Sequence, residues 1–271
     1  MFRNFIFIFT FTFYISITNT YAESIRLITL EGKNIPVDVV VNTKQKVPTV
    51  IYVTGLGGKG NQVSKIAELF KKNSLNLITF DRNEIKCKGF KCFKTVGQRS
   101  KSGQLIYDVN EKETAIENIL KNEITTVFNF VRGSDWYDKN EGIYVIGGSF
   151  GSWLSLGILA DKNLSKDIKG IIFLSPSVAP HKSTGKYANE IIKFNKLTSN
   201  KYNSKCFGIG SPNDKLFPGA TTEDAVEFLK KNLPCTSFKK LVINSNLHAK
   251  KLLINDKNIQ NQIINWINNL N

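Results

Sequence analysis

The sequence predicts an α/β fold in which a mostly parallel β-sheet carries helices on both faces. Short, β-branched apolar runs, typical of strands buried on both faces, alternate along the chain with stretches whose apolar residues recur at helical spacing. This alternation starts near residue 49 and continues to the C-terminus, as in repeated strand–helix–strand units. A length of 271 residues, with no internal repeat or linker, suits one domain with a substantial core.

The strands follow from short apolar runs bounded by turn residues. Two strands joined by a turn at Gly32-Lys33-Asn34 come first, at 24–30 and 36–41. Six further strands read as buried parallel strands because they are rich in Val, Ile, Leu and Phe; they lie at 49–53, 77–80, 143–146, 171–174, 207–209 and 241–243.

The helices follow from apolar residues three and four positions apart. This spacing predicts helices over 63–70, 116–131, 150–160, 225–229 and 259–270. The segment Thr221-Thr222-Glu223-Asp224 has the composition of an N-terminal helix cap, so the fourth of these helices should begin there. The segment 177–204 has room for one short helix, which leaves space for a small cap over a site at most.

The N-terminus predicts a signal peptide at residues 1–22. Arg3 gives a positive start, an apolar run extends from Phe5 to about Ile17, and Thr20-Tyr21-Ala22 places small residues at the −3 and −1 positions. We therefore expect cleavage after Ala22, a mature domain over 23–271, and a periplasmic or secreted protein. The run is shorter than the roughly 20 residues that span a membrane, so an uncleaved anchor is the less favoured alternative.

Export changes how the four cysteines are interpreted. An even number of cysteines in an oxidising compartment favours two disulfides. The favoured pairs are Cys87–Cys92, which closes a short loop, and Cys206–Cys235, whose members precede or begin neighbouring strands at one end of the sheet. Metal binding is the alternative, but the chain has no CxxC pair and only two histidines. No metal or other cofactor is expected.

The formal net charge of +15 is typical of proteins that contact nucleic acid, an anionic membrane or a cell-wall polymer, and scattered lysines that only keep the protein soluble are the alternative. Nucleic-acid binding would rest on charge alone, and export argues against it. The segment from Arg82 to Lys101 holds one acid, Glu84, and seven basic residues: Arg82, Lys86, Lys88, Lys91, Lys94, Arg99 and Lys101. This segment is a candidate surface for anionic substrates or lipid, and a solvated loop is the alternative.

The motif Gly147-Gly148-Ser149-Phe150-Gly151 matches G-x-S-x-G and lies between a predicted buried strand and a predicted buried helix. A nucleophile elbow requires this setting, because small residues on either side of the serine let strand and helix approach closely. Ser149 is therefore the candidate nucleophile. A tightly packed glycine-rich turn without a chemical role is the alternative.

With this motif the chain resembles the α/β-hydrolase superfamily, and within it the dienelactone-hydrolase-like serine esterases. The resemblance covers nearly all of the mature chain and rests also on the segments Tyr52-Val53-Thr54-Gly55-Leu56-Gly57-Gly58, Phe80-Asp81-Arg82 and Leu174-Ser175-Pro176. It implies the α/β-hydrolase fold, a sheet of eight strands, and a nucleophile, an acid and a base in that chain order. It also implies that the backbone N–H groups of Leu56 and Phe150 form the oxyanion hole. Many relatives have His-Gly where this chain has Thr54-Gly55.

The same pattern assigns the acid and the base. His248 lies just past the last predicted strand and before the closing helix, where the family's base is found. His181 falls in the segment after the strand at 171–174 and is expected to be a surface or substrate-contact residue, and a role as the base is the less favoured alternative. Asp214 follows the strand at 207–209, at the family's acid position, whereas Asp224 is a weaker candidate because it belongs to the predicted helix cap.

These residues predict a secreted serine hydrolase that cleaves a carboxylic ester through an acyl-enzyme. The expected substrate is a small-molecule or lipid-like ester. A peptidase or amidase with the same triad is one alternative, and a noncatalytic module that binds an anionic surface is another.

Overall fold

A computed structural model describes residues 20–43, 45–55, 59–82, 95–99, 105–107, 119–178, 204–217 and 220–270. The strands in chain order are β1 (Thr20–Ile28), β2 (Asn34–Asn42), β3 (Thr49–Val53), β4 (Asn76–Phe80), β5 (Thr95–Arg99), β6 (Leu105–Tyr107), β7 (Ile143–Gly148), β8 (Ile168–Leu174), β9 (Lys205–Gly210), β10 (Lys215–Phe217), β11 (Ala220–Thr221) and β12 (Phe238–Val242).

The helices of the described residues are α1 (Ala67–Lys72), α2 (Thr125–Arg132), α3 (Gly151–Ala160), α4 (Lys162–Ser165), α5 (Thr222–Asn232), α6 (Lys250–Asn255) and α7 (Lys257–Asn268). A 3-10 turn at Asn61–Ile66 leads into α1, and a π-helical turn at Leu120–Ile124 leads into α2. Helix α5 begins with the predicted cap, since the Thr221 hydroxyl and the Asp224 carboxylate each bond the other residue's backbone N–H.

Eight strands form one sheet in the order β1-β2-β4-β3-β7-β8-β9-β12. Strands β4, β3, β7, β8, β9 and β12 run parallel to one another, and β2 pairs antiparallel with both β4 and β1. This confirms the predicted mostly parallel sheet and its eight strands. The sequence did not predict the short antiparallel pairs β5–β6 and β10–β11, or helices α4 and α6.

The central strands are buried on both faces, as their apolar runs predicted. In β3, Val50 and Tyr52 pack in one hydrophobic cluster while Ile51 and Val53 pack in another, because successive side chains of a strand point to opposite faces. Helices α2, α3 and α5 contribute to the cluster that holds Ile51, and α1, α6 and α7 to the cluster that holds Val50. The sheet is thus covered on both sides.

The parallel strands place their carboxyl ends along one edge of the sheet. The segments that follow β3, β4, β7, β8, β9 and β12 therefore meet at this edge, which we call the carboxyl edge. In open α/β sheets, ligand sites form at this edge. All three residues expected from the sequence to carry out catalysis fall in these segments.

Strand β1 begins at Thr20, so the predicted cleavage after Ala22 would fall inside it. The remainder of the strand, from Glu23 to Ile28, pairs with β2 from Val39 to Asn34. Residues 1–19 lie outside the described part of the chain. Within the described ranges, no helix is both long and apolar enough to cross a bilayer.

A disulfide joins Cys206 to Cys235 at the amino-terminal end of β9 and β12, with 5.9 Å between the Cα atoms. The predicted pair is thus confirmed, and it lies at the opposite end of these strands from the carboxyl edge. The other predicted pair, Cys87–Cys92, lies outside the described residues.

The amino-terminal edge also holds a buried ion pair. The Arg132 guanidinium binds both carboxylate oxygens of Asp167, and the Tyr137 hydroxyl donates to the same carboxylate at 2.7 Å. Burial by itself raises the pKa of Asp167, but the hydrogen bonds from Arg132 and Tyr137 together outweigh it and lower the pKa below its usual value. This cluster connects α2 to the loop that enters β8.

The disulfide should stabilise the fold by restricting the unfolded chain. For a sequence separation of 29 residues, the loop-closure estimate is about 3–4 kcal/mol. We expect Cys206→Ala/Cys235→Ala to lower the free energy of unfolding in urea by this amount. The matched control is Cys87→Ala/Cys92→Ala, which should cost only about 2 kcal/mol because the predicted loop is short. Equal stability of the wild type and the Cys206–Cys235 variant would contradict the estimate.

Removing the Asp167 charge should leave the partly buried Arg132 guanidinium without its carboxylate partner. We expect Asp167→Asn to lower the free energy of unfolding by about 1–3 kcal/mol at neutral pH, because Arg132 is partly exposed and keeps its bond to the Leu164 carbonyl. Because the folded pKa of Asp167 is lowered, its contribution is complete above the unfolded pKa of about 3.9 and is lost as the pH falls through the folded pKa. Urea unfolding of both proteins between about pH 3 and 7 measures this, and a stability difference that does not shrink at acid pH would contradict it.

Candidate active site

Ser149 lies on the turn between β7 and α3 with a φ of 53°, a left-handed conformation that residues other than glycine rarely adopt. Two glycines make the turn feasible, because there is no space for a side chain at either. A Cβ at Gly151 would overlap the Val53 carbonyl, and one at Gly147 would overlap the Ser155 hydroxyl. The strand, the turn and the helix are therefore packed as a nucleophile elbow requires.

The backbone around Ser149 is tied to the next strand of the sheet. The Ser149 N–H donates to the carbonyl of Leu174, the last residue of β8, at 3.1 Å. The Ser149 carbonyl accepts from the backbone N–H groups of Ser152 at 3.0 Å and Ser177 at 3.4 Å. Phe150, the N-cap of α3, follows directly, so the positive end of the helix dipole lies beside Ser149.

Asp214 and His248 are in direct contact. The Nδ1 atom of His248 lies 2.8 Å and 3.0 Å from the two carboxylate oxygens of Asp214. Because a carboxylate can only accept, this contact favours the tautomer with its proton on Nδ1 and leaves Nε2 free to accept a proton. The Asp214 side chain is 6% exposed and that of His248 38% exposed, so the acid is buried while the imidazole is open to solvent.

Buried hydroxyls join the acid loop to the base loop. The Ser211 hydroxyl donates to the Ser245 carbonyl at 2.6 Å and accepts from the Ser245 N–H at 3.3 Å. Thr222 completes the arrangement, since its N–H donates to the Asp214 carbonyl at 2.9 Å and its hydroxyl accepts the Ser211 N–H at 2.8 Å. Both loops are therefore held in one position relative to each other. The sequence analysis did not identify either hydroxyl.

The base loop also packs against the elbow. Ala249, the residue after His248, has its Cβ 3.5 Å from where a Cβ on Gly148 would lie. The described residues include four non-glycine positions with positive φ, and Ser149, Ser175 and Ala249 are three of them. Unfavourable backbone conformations concentrate at functional sites, where the surrounding structure holds them. This clustering marks the carboxyl edge as the functional region.

The loop after β3 lies against Ser149, since a Cβ at Gly55 would be 3.0 Å from the Ser149 Cβ. Arg82 holds this loop. Its guanidinium donates to the Gly55 carbonyl and lies 5.3 Å from the centre of the Phe150 ring. Leu56, the other expected oxyanion-hole donor, lies outside the described residues.

Arg82 is buried, although the charge pattern of its segment predicted a surface position. The sequence analysis counted it with the basic residues of a surface loop, but only 4% of it is exposed. Its charge is thus directed into the site rather than toward solvent. Residues 83–94 and 100–104 of that loop lie outside the described residues.

Two further groups shape the electrostatics of the site. Burial raises the pKa of Tyr52 above its usual range despite the opposing charge of Arg82, so the phenol stays neutral beneath Gly148. Burial also lowers the pKa of Lys250, although the Asp81 carboxylate opposes this. The Lys250 ammonium donates to the Lys59 carbonyl at 3.1 Å and so connects α6 with the chain that follows the β3 loop.

Of the two sequence-derived alternatives, Asp224 lies in the described part of the chain. Asp224 accepts from both the N–H and the hydroxyl of Thr221 at 2.8 Å, so its carboxylate is used by the helix cap. His181 lies outside the described residues. Among the residues that the structure describes, no cluster of His, Cys, Asp and Glu could hold a metal ion.

Comparison with solved structures identifies the architecture. An esterase from Pyrococcus furiosus superposes with a TM-score of 0.59 at 16% identity, covering 92% of this chain and 93% of its own. A dienelactone hydrolase from Anabaena variabilis superposes with a TM-score of 0.51 at 11% identity, covering 93% of this chain and 97% of its own. An S-formylglutathione hydrolase from Staphylococcus aureus superposes with a TM-score of 0.57 at 12% identity, covering 94% of this chain and 98% of its own. Neither protein-family models nor curated proteins give a significant match. The chain has the α/β-hydrolase fold.

Proposed function

We propose that this protein is a serine hydrolase that cleaves a carboxylic ester through an acyl-enzyme, with Ser149, His248 and Asp214 as nucleophile, base and acid. The observation that carries the proposal is the Asp214–His248 contact at the carboxyl edge, where Ala249, the residue after His248, packs against Gly148 of the Ser149 turn. A serine hydroxyl is a weak nucleophile until a neighbouring imidazole removes its proton. Ser149 follows β7, Asp214 follows β9 and His248 follows β12, so the three residues belong to the same carboxyl edge.

In the proposed reaction, the Ser149 Oγ attacks the ester carbonyl carbon while its proton passes to Nε2 of His248. Asp214 stabilises the imidazolium that forms. The tetrahedral intermediate then collapses, its bond to the alcohol oxygen breaks, and His248 gives the proton to the departing alcohol. Water attacks the acyl-enzyme in the same way, with His248 again taking the proton and returning it to Ser149.

A backbone N–H, a helix dipole and a buried guanidinium would stabilise the negative oxygen of the tetrahedral intermediate. The Phe150 N–H at the start of α3 is the expected hydrogen-bond donor, and the positive end of that helix adds to its effect. The buried Arg82 contributes a permanent positive charge and holds both Gly55 and Phe150. A single oxyanion-hole donor is worth roughly 3–4 kcal/mol in the transition state.

An ester is favoured as the substrate because the structural neighbours include a named esterase and S-formylglutathione hydrolase. An amide would require the same groups and stays the alternative. A noncatalytic binding module is disfavoured, because binding an anionic surface requires neither the strained serine nor the acid–base pair. We also propose that the protein is exported, and the Cys206–Cys235 disulfide is compatible with an oxidising compartment.

Replacing the nucleophile should remove activity without unfolding the protein. We expect Ser149→Ala to abolish labelling by a fluorophosphonate and to lower kcat on short p-nitrophenyl esters by about 10⁴-fold or more. The thermal midpoint should change little because alanine has the same backbone requirements. Ser165→Ala, at the partly exposed end of α4, is the matched control and should label like the wild type. Full activity in Ser149→Ala would refute the assignment.

Replacing the proposed base or the proposed acid should also lower kcat strongly. We expect His248→Ala to lower kcat by about 10⁵-fold and Asp214→Ala by about 10⁴-fold, because the three groups act as a unit. His181→Ala serves as the histidine control and should retain nearly all activity. Steady-state kinetics on the same esters measure these effects. If His181→Ala were the more damaging histidine substitution, the proposed base would be wrong.

A further inference from the structure

The hydroxyl of Ser175 connects the end of β8 to the segment that carries His248. Its Oγ accepts the backbone N–H of Ala249 at 2.9 Å across 74 residues of sequence. Both residues are buried, at 1% and 4% exposed. A buried hydrogen bond of this kind is shielded from competing water, so it can fix the backbone that it binds.

Ala249 needs such support because its backbone is in an unfavourable conformation. Its φ of 42° and ψ of −108° lie in a region that glycine enters readily and that a Cβ disfavours. Alanine has no polar side chain with which to stabilise this conformation itself. The conformation must therefore be imposed by the surroundings, and the Ser175 hydroxyl binds the N–H of the strained residue directly.

Ser175 is in turn held by the strands next to it. Its φ is 45°, and its N–H donates to the carbonyl of Ile209, near the end of β9, at 2.9 Å. The preceding carbonyl, of Leu174, accepts the N–H of Ser149. The turn at Ser175 thus contacts the nucleophile turn, the strand that leads to Asp214, and the base loop.

We propose that Ser175 is a positioning residue for catalysis. By holding Ala249 in its strained conformation, it directs the preceding His248 toward Asp214 and Ser149. The inference rests on the proposed function and adds a residue to it that neither the motif nor the triad contains. It further implies that the requirement for the hydroxyl depends on the Cβ of Ala249.

A double-mutant cycle tests this dependence. We expect Ser175→Ala to lower kcat on a p-nitrophenyl ester by about 10- to 100-fold, as a displaced catalytic group does, with KM nearly unchanged. Ala249→Gly should have nearly wild-type kcat. In Ser175→Ala/Ala249→Gly the loss relative to Ala249→Gly should shrink to a few-fold, because glycine adopts the conformation without strain. Hydrogen exchange of the Ala249 amide should accelerate in Ser175→Ala.

Ser204→Ala is the matched control. This serine is also buried, at 3% exposed, and its hydroxyl donates to the Ile168 carbonyl at 3.0 Å, but at the amino-terminal edge. It should lower the thermal midpoint without lowering kcat. Should Ser175→Ala fail to fold, Ser175→Gly removes the same hydroxyl, accommodates the positive φ, and carries the same expectation.

The possible outcomes are distinct. Wild-type kcat in Ser175→Ala, or an equal loss with alanine and with glycine at position 249, would overturn the positioning role. Absence of both fluorophosphonate labelling and ester hydrolysis in the wild type would instead overturn the proposed function. In that case, faster exchange at Ala249 in Ser175→Ala would still establish that the hydroxyl holds this segment.

Discussion

The close packing of β7, the Ser149 turn and α3 against β3 is the constraint on which the carboxyl edge depends. Helix α3 approaches the end of β3 so closely that Gly151 faces the Val53 carbonyl with no space for a side chain. This approach forces the left-handed turn at Ser149 and places the start of α3 beside the loop that follows β3. A serine at this turn is held away from the helix and exposed at the sheet edge, which is where a nucleophile is required.

Hydrogen bonds connect that turn with the ends of the neighbouring strands. The Ser149 N–H donates to the carbonyl of Leu174, the last residue of β8. Ser175, which follows Leu174, donates its N–H to β9 and accepts the N–H of Ala249 next to His248. Ser211 and Thr222 hold the acid loop to the base loop on the other side. Each of these links is a hydrogen bond between different strands or loops, so the site is held by the sheet rather than by any single loop.

The two ends of the sheet have different roles. The amino-terminal edge carries the Cys206–Cys235 disulfide and the Arg132–Asp167 ion pair, which connect elements without contacting the candidate site. The carboxyl edge carries strained residues and a buried positive charge at Arg82, features that would be costly if they served packing alone. Interactions that stabilise the fold at one edge can therefore offset strained conformations at the other.

The sequence alone determined the alternation of strands and helices, because apolar periodicity is a local property, and the turn of Ser149, because its glycines are adjacent to it. The cap formed by Thr221 and Asp224 and the disulfide at the starts of neighbouring strands were also predictable from chain positions. Only the tertiary structure decided the contact of His248 with Asp214, the burial of Arg82 and the bond from Ala249 to Ser175. These depend on which strands become neighbours and how closely their loops approach, and neither is set by residues adjacent in sequence.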